Sequence, residues 1–67
     1  MQTFREWING KGVSALHDVL KQREGTIRMW QTRNLIPRAV WPDILIAYPE
    51  VGMRDLIDME TRAKGDA

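Results

Sequence analysis

Apolar residues in this 67-residue chain recur every three or four positions, and no stretch alternates apolar with polar residues. That spacing gathers apolar side chains on one stripe of a helix and does not suit a half-buried strand. The expected fold is all-α: four to five short helices around one core. Gly10, Gly12, Pro37, Pro42 and Pro49 punctuate the pattern and limit where helices can run. The length allows one small domain, expected over residues 1–62, with residues 63–67 as a frayed tail. So small a core makes self-association a reasonable source of extra stability.

Local signals place the helices. Thr3 and Glu6 fit a capping box that opens a helix from Phe4 to Ile8, and Asn9-Gly10-Lys11-Gly12 reads as the turn that stops it. A second helix spans Val13 to Leu20, with Val13, Leu16 and Leu20 on its stripe and Ala15 and Val19 beside them. After the turn Lys21-Gln22-Arg23, a third helix runs from Glu24 to Arg33. Ile27 and Trp30 face inward on it, while Gly25, Arg28, Met29 and Thr32 point outward. Asn34 suits its C-cap, and Pro37 forces Ile36 out of helical conformation. A short turn over residues 37–40 leads to a helix from Trp41 to Tyr48, with Ile44, Leu45 and Tyr48 inward. The last helix, Met53 to Ala63, carries Met53, Leu56, Ile57 and Glu60 on one stripe, which either closes the core or meets a second copy. The three tryptophans are assigned to the core. The methionines are read as gap-fillers, with Met53 and Met59 alternatively lining a dimer contact.

Composition removes whole classes of chemistry. There is no cysteine, hence no disulfide and no thiolate metal site. The single histidine, His17, is read as a helix-surface residue; it leaves no material for a zinc site or a histidine-based triad. Asp55, Asp58 and Glu60 lie beside Arg54 and Arg62 and are read as a solvated charged face rather than a metal or acid/base cluster. No catalytic constellation, cofactor or metal site is expected, so the chain does not read as an enzyme. No apolar run approaches bilayer length and no signal-peptide core is present, so a soluble cytoplasmic protein without a membrane partner is expected.

Net charge is +1, but its distribution is uneven. Lys21, Arg23, Arg28, Arg33 and Arg38 against Glu24 give residues 21–42 a charge of +4. Arg54, Arg62 and Lys64 against Asp43, Glu50, Asp55, Asp58, Glu60 and Asp66 give residues 43–67 a charge of −3. The basic block is either a solvated face or a footprint for a local anionic partner. It coincides with a helix, a tight turn and a second helix, the unit that lays its second helix in a DNA major groove.

Ser14-Ala15-Leu16, followed by Ile27, Trp30 and Ile36-Pro37, resembles the Cro and lambda-repressor class of helix-turn-helix proteins. Among these it is most similar to the small YdaS-like, Cro-like regulators of bacteria and their phages. Arg38-Ala39-Val40-Trp41-Pro42 is similar to members with a Trp-Pro after the Ile-Pro. The resemblance spans about residues 10–48. It implies a lambda-repressor-like domain, a double-stranded DNA operator as partner, a homodimer on two-fold-related half-sites, and a phage or other mobile-element setting. The first two helices of the unit are then expected to pack through Ala15, Leu16, Val19, Ile27 and Trp30. Two positions depart from the family pattern. Lys21 stands where a glycine is usual, so either the turn differs or a left-handed lysine there carries about 1 kcal/mol of strain. Arg23 stands where a capping serine or threonine is usual, and arginine cannot accept the orphan helical N–H groups.

On this resemblance Arg23, Glu24, Gly25 and Arg28 are the residues expected to read bases. Arg28 is the best placed for a guanine, and Glu24 either accepts from a cytosine amino group or simply complements the helix dipole. Gly25 is explained either by close approach of backbone to DNA or by turn chemistry. Lys21, Thr32, Arg33 and Arg38 are expected phosphate contacts, with Lys11 a weaker candidate. A competing reading is an antitoxin or anti-activator working by protein contact through the acidic C-terminal helix with Leu56 and Ile57. A lower one is similarity of Thr26–Pro37 to the recognition helix of MerR and excisionase proteins, which follow it with a glycine-containing β-wing.

Overall fold

The computed structural model describes residues 2–65, and among them every regular element is helical. The order is α1 (Phe4–Lys11), α2 (Val13–Leu20), α3 (Glu24–Arg33), a single 3₁₀ turn (Arg38–Val40), α4 (Trp41–Ala47) and α5 (Met53–Gly65). The all-α expectation therefore holds. α1 packs against α2, α3 and α5, while α2 also touches α3 and α4.

The capping box at the start of α1 forms as the sequence indicates. Glu6 N–H donates to Thr3 Oγ1 at 3.2 Å and Thr3 N–H donates to Glu6 Oε1 at 3.0 Å. α1 does not stop at Ile8, however; it continues to Lys11. The reason lies in Asn9, whose side chain accepts from Gln31 Nε2 on α3 and so does not compete for its own backbone. Gly12, at φ 92°, makes the break instead, as the only residue between α1 and α2.

Leu16 and Leu20 are the buried row of α2, with Val13 partly buried beside them. Ala15 and Val19 are exposed, contrary to the expected role in the α2–α3 contact. Each lies one position before a buried leucine, about 100° around the helix, and α3 and α4 sit over the leucine row. From α3, Ile27 and Trp30 complete the contact.

The core joins these residues to Phe4, Trp7, Ile8, Ile36, Val40, Trp41, Ile44, Val51, Leu56 and Met59. All three tryptophans are buried. Trp7 meets Tyr48 edge-on at 5.3 Å between ring centroids, and Trp41 donates its indole N–H to Ile36 O at 3.0 Å. That bond fastens the segment leaving α3 to the start of α4. α4 ends at Ala47, one residue earlier than expected, with Tyr48 N–H still bonded to Ile44 O.

α5 runs past Ala63 to Gly65, so the expected frayed tail is helical over residues 63–65; residues 66 and 67 lie outside the described part. Its buried residues are Leu56, Met59 and Glu60. Met53 and Ile57, expected on the inward stripe, are about half exposed. Glu60 is buried, as its place on the stripe with Leu56 indicates and contrary to its reading as part of a solvated face; it pairs there with Arg38 from the 3₁₀ turn (Arg38 Nη2 to Glu60 Oε1 2.6 Å, Nε to Oε2 3.1 Å). Of the methionines, only Met59 fills the core; Met29 and Met53 are half exposed, and Met1 lies outside the described residues. No described helix is long and apolar enough to cross a membrane.

Candidate nucleic-acid interface

α2 and α3 are joined by three residues, and the first of them sets the angle. Lys21 sits in the left-handed region at φ 60°, ψ 32°. Its N–H closes α2 on His17 O, and the His17 ring Nδ1 pairs with Gln22 O at 2.7 Å. His17 is thus exposed, as expected, but it braces the turn. The strain expected of a left-handed lysine is present, at about 1 kcal/mol.

Arg23 follows as the N-cap of α3, in extended conformation at φ −65°, ψ 144°. Its carbonyl accepts from Ile27 N–H at 3.1 Å, but its side chain makes no capping bond. Neither Glu24 nor Gly25 supplies one. The first turn of α3 therefore leaves its early N–H groups to solvent or a ligand.

The anchoring and presenting sides of α3 are separated by its own periodicity. Ile27 is fully buried and Trp30 nearly so. Arg23, Glu24, Gly25, Arg28, Thr32 and Arg33 are all exposed, together with Lys21 in the turn. Arg28 Nη2 lies 3.8 Å from Glu24 Oε1, a loose contact between exposed side chains that leaves the guanidinium's other donors available. Thr32 Oγ1 donates to Arg28 O at 3.1 Å. A Cβ built on Gly25 would meet nothing within 4 Å, so no internal contact demands a glycine there.

Three expected cationic contacts sit in different settings. Lys21 and Arg33 flank the presenting side of α3. Arg38 is drawn to α5: its bidentate pair with Glu60 holds the carboxyl below the ordinary glutamate range, the hydrogen bond being the main cause. Its guanidinium also lies 5.2 Å from the Trp41 ring centroid. Lys11 pairs with Glu50 at 2.9 Å and lies over the Tyr48 ring, and that hydrogen bond lowers the Glu50 pKa.

Sequence reasoning passed over the residues that hold the far end of α3. Arg5, from α1, donates its Nε to Gln31 O at 2.8 Å and its Nη2 to Thr32 O at 3.1 Å. Its backbone N–H donates to Asn34 Oδ1 at 2.9 Å. Asn34 itself adopts the left-handed cap at φ 57°, as its residue type indicated. Arg5 gave no local signal, since its partners lie 26 to 29 residues downstream.

The arrangement can present four cationic side chains, Lys21, Arg23, Arg28 and Arg33, with a threonine and bare backbone, to a polyanion while its inner face stays fixed in the core. Among the described residues, no group of three or more histidine, aspartate or glutamate side chains is placed to hold a metal ion. No protein-family model matches the chain, and no curated protein or solved structure matches it significantly.

Proposed function

We propose that this chain binds double-stranded DNA sequence-specifically as a transcriptional regulator, with α3 in the major groove of its operator. The observation that carries the reading is the division of α3. Ile27 and Trp30 fix it to the core, while on its outward side Gly25 meets no other group and Arg28 makes only a loose exposed contact with Glu24. A glycine inside a helix destabilises it by roughly 0.5–1 kcal/mol relative to alanine. With open space around its Cβ position, close approach of an external surface accounts for it. Arg28 then reaches a guanine edge, Arg23 and Glu24 read neighbouring positions, and Lys21, Thr32 and Arg33 contact phosphates.

The helix, three-residue turn and helix, with a left-handed residue closing the first helix, support a Cro-like helix-turn-helix. A MerR-like reading is less well supported, because α4 stands where a β-wing would follow and no strand occurs among the described residues. One module of this size makes a small footprint, so a homodimer on two-fold-related half-sites is part of the proposal.

One observation favours a second reading. Met53 and Ile57, one turn apart on α5, are 48% and 46% exposed. Leu56, expected to serve such a contact with Ile57, is fully buried in the core, so Met53 and Ile57 are the pair that suits an antitoxin or anti-activator capturing a protein partner through α5.

Selection from a random duplex-DNA pool, run in parallel with Arg28→Ala, separates the two. The DNA reading expects an enriched motif for the parent chain and a loss of about 10- to 100-fold in affinity for that motif on Arg28→Ala. A folded protein that enriches nothing at moderate salt would remove the DNA reading and leave the protein-capture one.

A further inference from the structure

We propose that Met29 reads the 5-methyl group of a thymine beside the base pair addressed by Arg28. This rests on the DNA-binding reading above and specifies its sequence preference.

The outward surface of α3 divides into two rows of residues four apart. One row is polar: Glu24, Arg28 and Thr32, linked by the Glu24–Arg28 contact and by the Thr32 hydroxyl on Arg28 O. The other is Gly25, Met29 and Arg33. Met29 is 49% exposed and is the only large apolar side chain that α3 leaves in solvent. The remaining exposed large apolar residues, Val19, Ile46, Met53 and Ile57, belong to other helices.

Side chains on a helix lean toward its N-terminus, so Met29 leans toward the turn that begins at Gly25. Gly25 offers no side chain there, and no other side chain comes within 4 Å of its Cβ position. The row therefore offers one apolar side chain with open space on its N-terminal side and a cation, Arg33, at its far end. The major groove offers hydrogen-bonding edges and one apolar group, the thymine methyl. The polar row matches the first kind of feature and the apolar row the second. A flexible, polarizable thioether adapts to a methyl group without a preformed pocket. Neighbouring positive charge at Lys21, Arg23, Arg28 and Arg33 favours a phosphate-bearing partner over an acid-poor protein surface.

The test uses the tightest duplex from a thymine-containing random pool. Each thymine is replaced in turn by deoxyuridine, which lacks only the methyl. Affinity is measured for the parent chain, Met29→Ala and Met29→Leu, with thermal melting to check that each is folded. At one position the parent is expected to lose about 3- to 5-fold on removal of the methyl, as for one buried carbon. Met29→Ala is expected to show a similar loss on the thymine duplex and no further loss with deoxyuridine there. Met29→Leu is expected to keep most of the discrimination. Equal affinity for every deoxyuridine duplex, or full discrimination by Met29→Ala, would overturn the assignment while leaving DNA binding intact. A pool from which the parent enriches nothing would remove the underlying reading and this assignment together.

Discussion

The two ends of α3 are secured to different degrees. At its C-terminus, Asn34 takes the left-handed cap, and Arg5 reaches from α1 to bond the carbonyls of Gln31 and Thr32 while its own N–H bonds the Asn34 side chain. At its N-terminus, Arg23 supplies no side-chain cap, Lys21 holds a strained left-handed conformation, and Gly25 loosens the first turn. Arg23, Glu24 and Gly25 are exposed while Gln31 and Asn34 are half-buried, so the better-bonded end is also the more sheltered one. The C-terminal end carries the connection to the rest of the domain. The N-terminal end is where stability has been given up, and it carries the residues proposed to face DNA bases. A helix held firmly at one end can keep its free end in register for a ligand without an internal cap there.

Among single substitutions, removing the firm end should have the largest effect on folding. Arg5→Ala deletes both side-chain bonds to the last carbonyls of α3 and should cost about 1–2 kcal/mol. Thermal melting should show this as a Tm lower by roughly 5–15 °C. An unchanged Tm would mean that water serves those carbonyls equally well and that the contrast between the ends carries no energy.

Relaxing the weak end should have a smaller effect of opposite sign. Lys21→Gly relieves the left-handed strain, a gain of up to about 1 kcal/mol, reduced by the greater freedom of glycine in the unfolded chain. If Lys21 also neutralises a phosphate, the slope of log affinity against log salt should become shallower by about one unit. Melting and a salt titration on the same variant read the two effects separately. A gain in stability with an unchanged slope would assign Lys21 to the turn alone.

The same contrast shows what was legible in the sequence. Local signals carried well: the Thr3–Glu6 capping box, the apolar stripe of α3, the left-handed Asn34 and the uncapped start at Arg23 all follow from residue type and spacing over a few positions. What escaped was contact between distant segments. Gln31 engages Asn9 and lets α1 run through Gly10 to Lys11. Arg38 pairs with Glu60, the buried carboxylate on the stripe of α5. Arg5 crosses to the end of α3. Periodicity gives which residues share a face, but not which face meets which neighbour, and for that reason Ala15 and Val19 were placed one row too far inward. The candidate site was more legible than the packing, because exposure of the outward side of α3 follows once Ile27 and Trp30 are fixed in the core. Arg38 is the exception: its pairing with Glu60 offsets its charge locally, which the basic run alone does not reveal.

If the start of α3 trades stability for contact, the variant Arg23→Ser/Gly25→Ala should shift both quantities at once. Serine restores a cap worth about 0.5–2 kcal/mol, and alanine adds roughly 0.5–1 kcal/mol in a position with room for its Cβ. Melting temperature and affinity for the best selected duplex are measured on the same preparation. The expected result is a Tm higher by roughly 5–20 °C together with a loss of at least about 10-fold in DNA affinity. A higher Tm with undiminished affinity would contradict it.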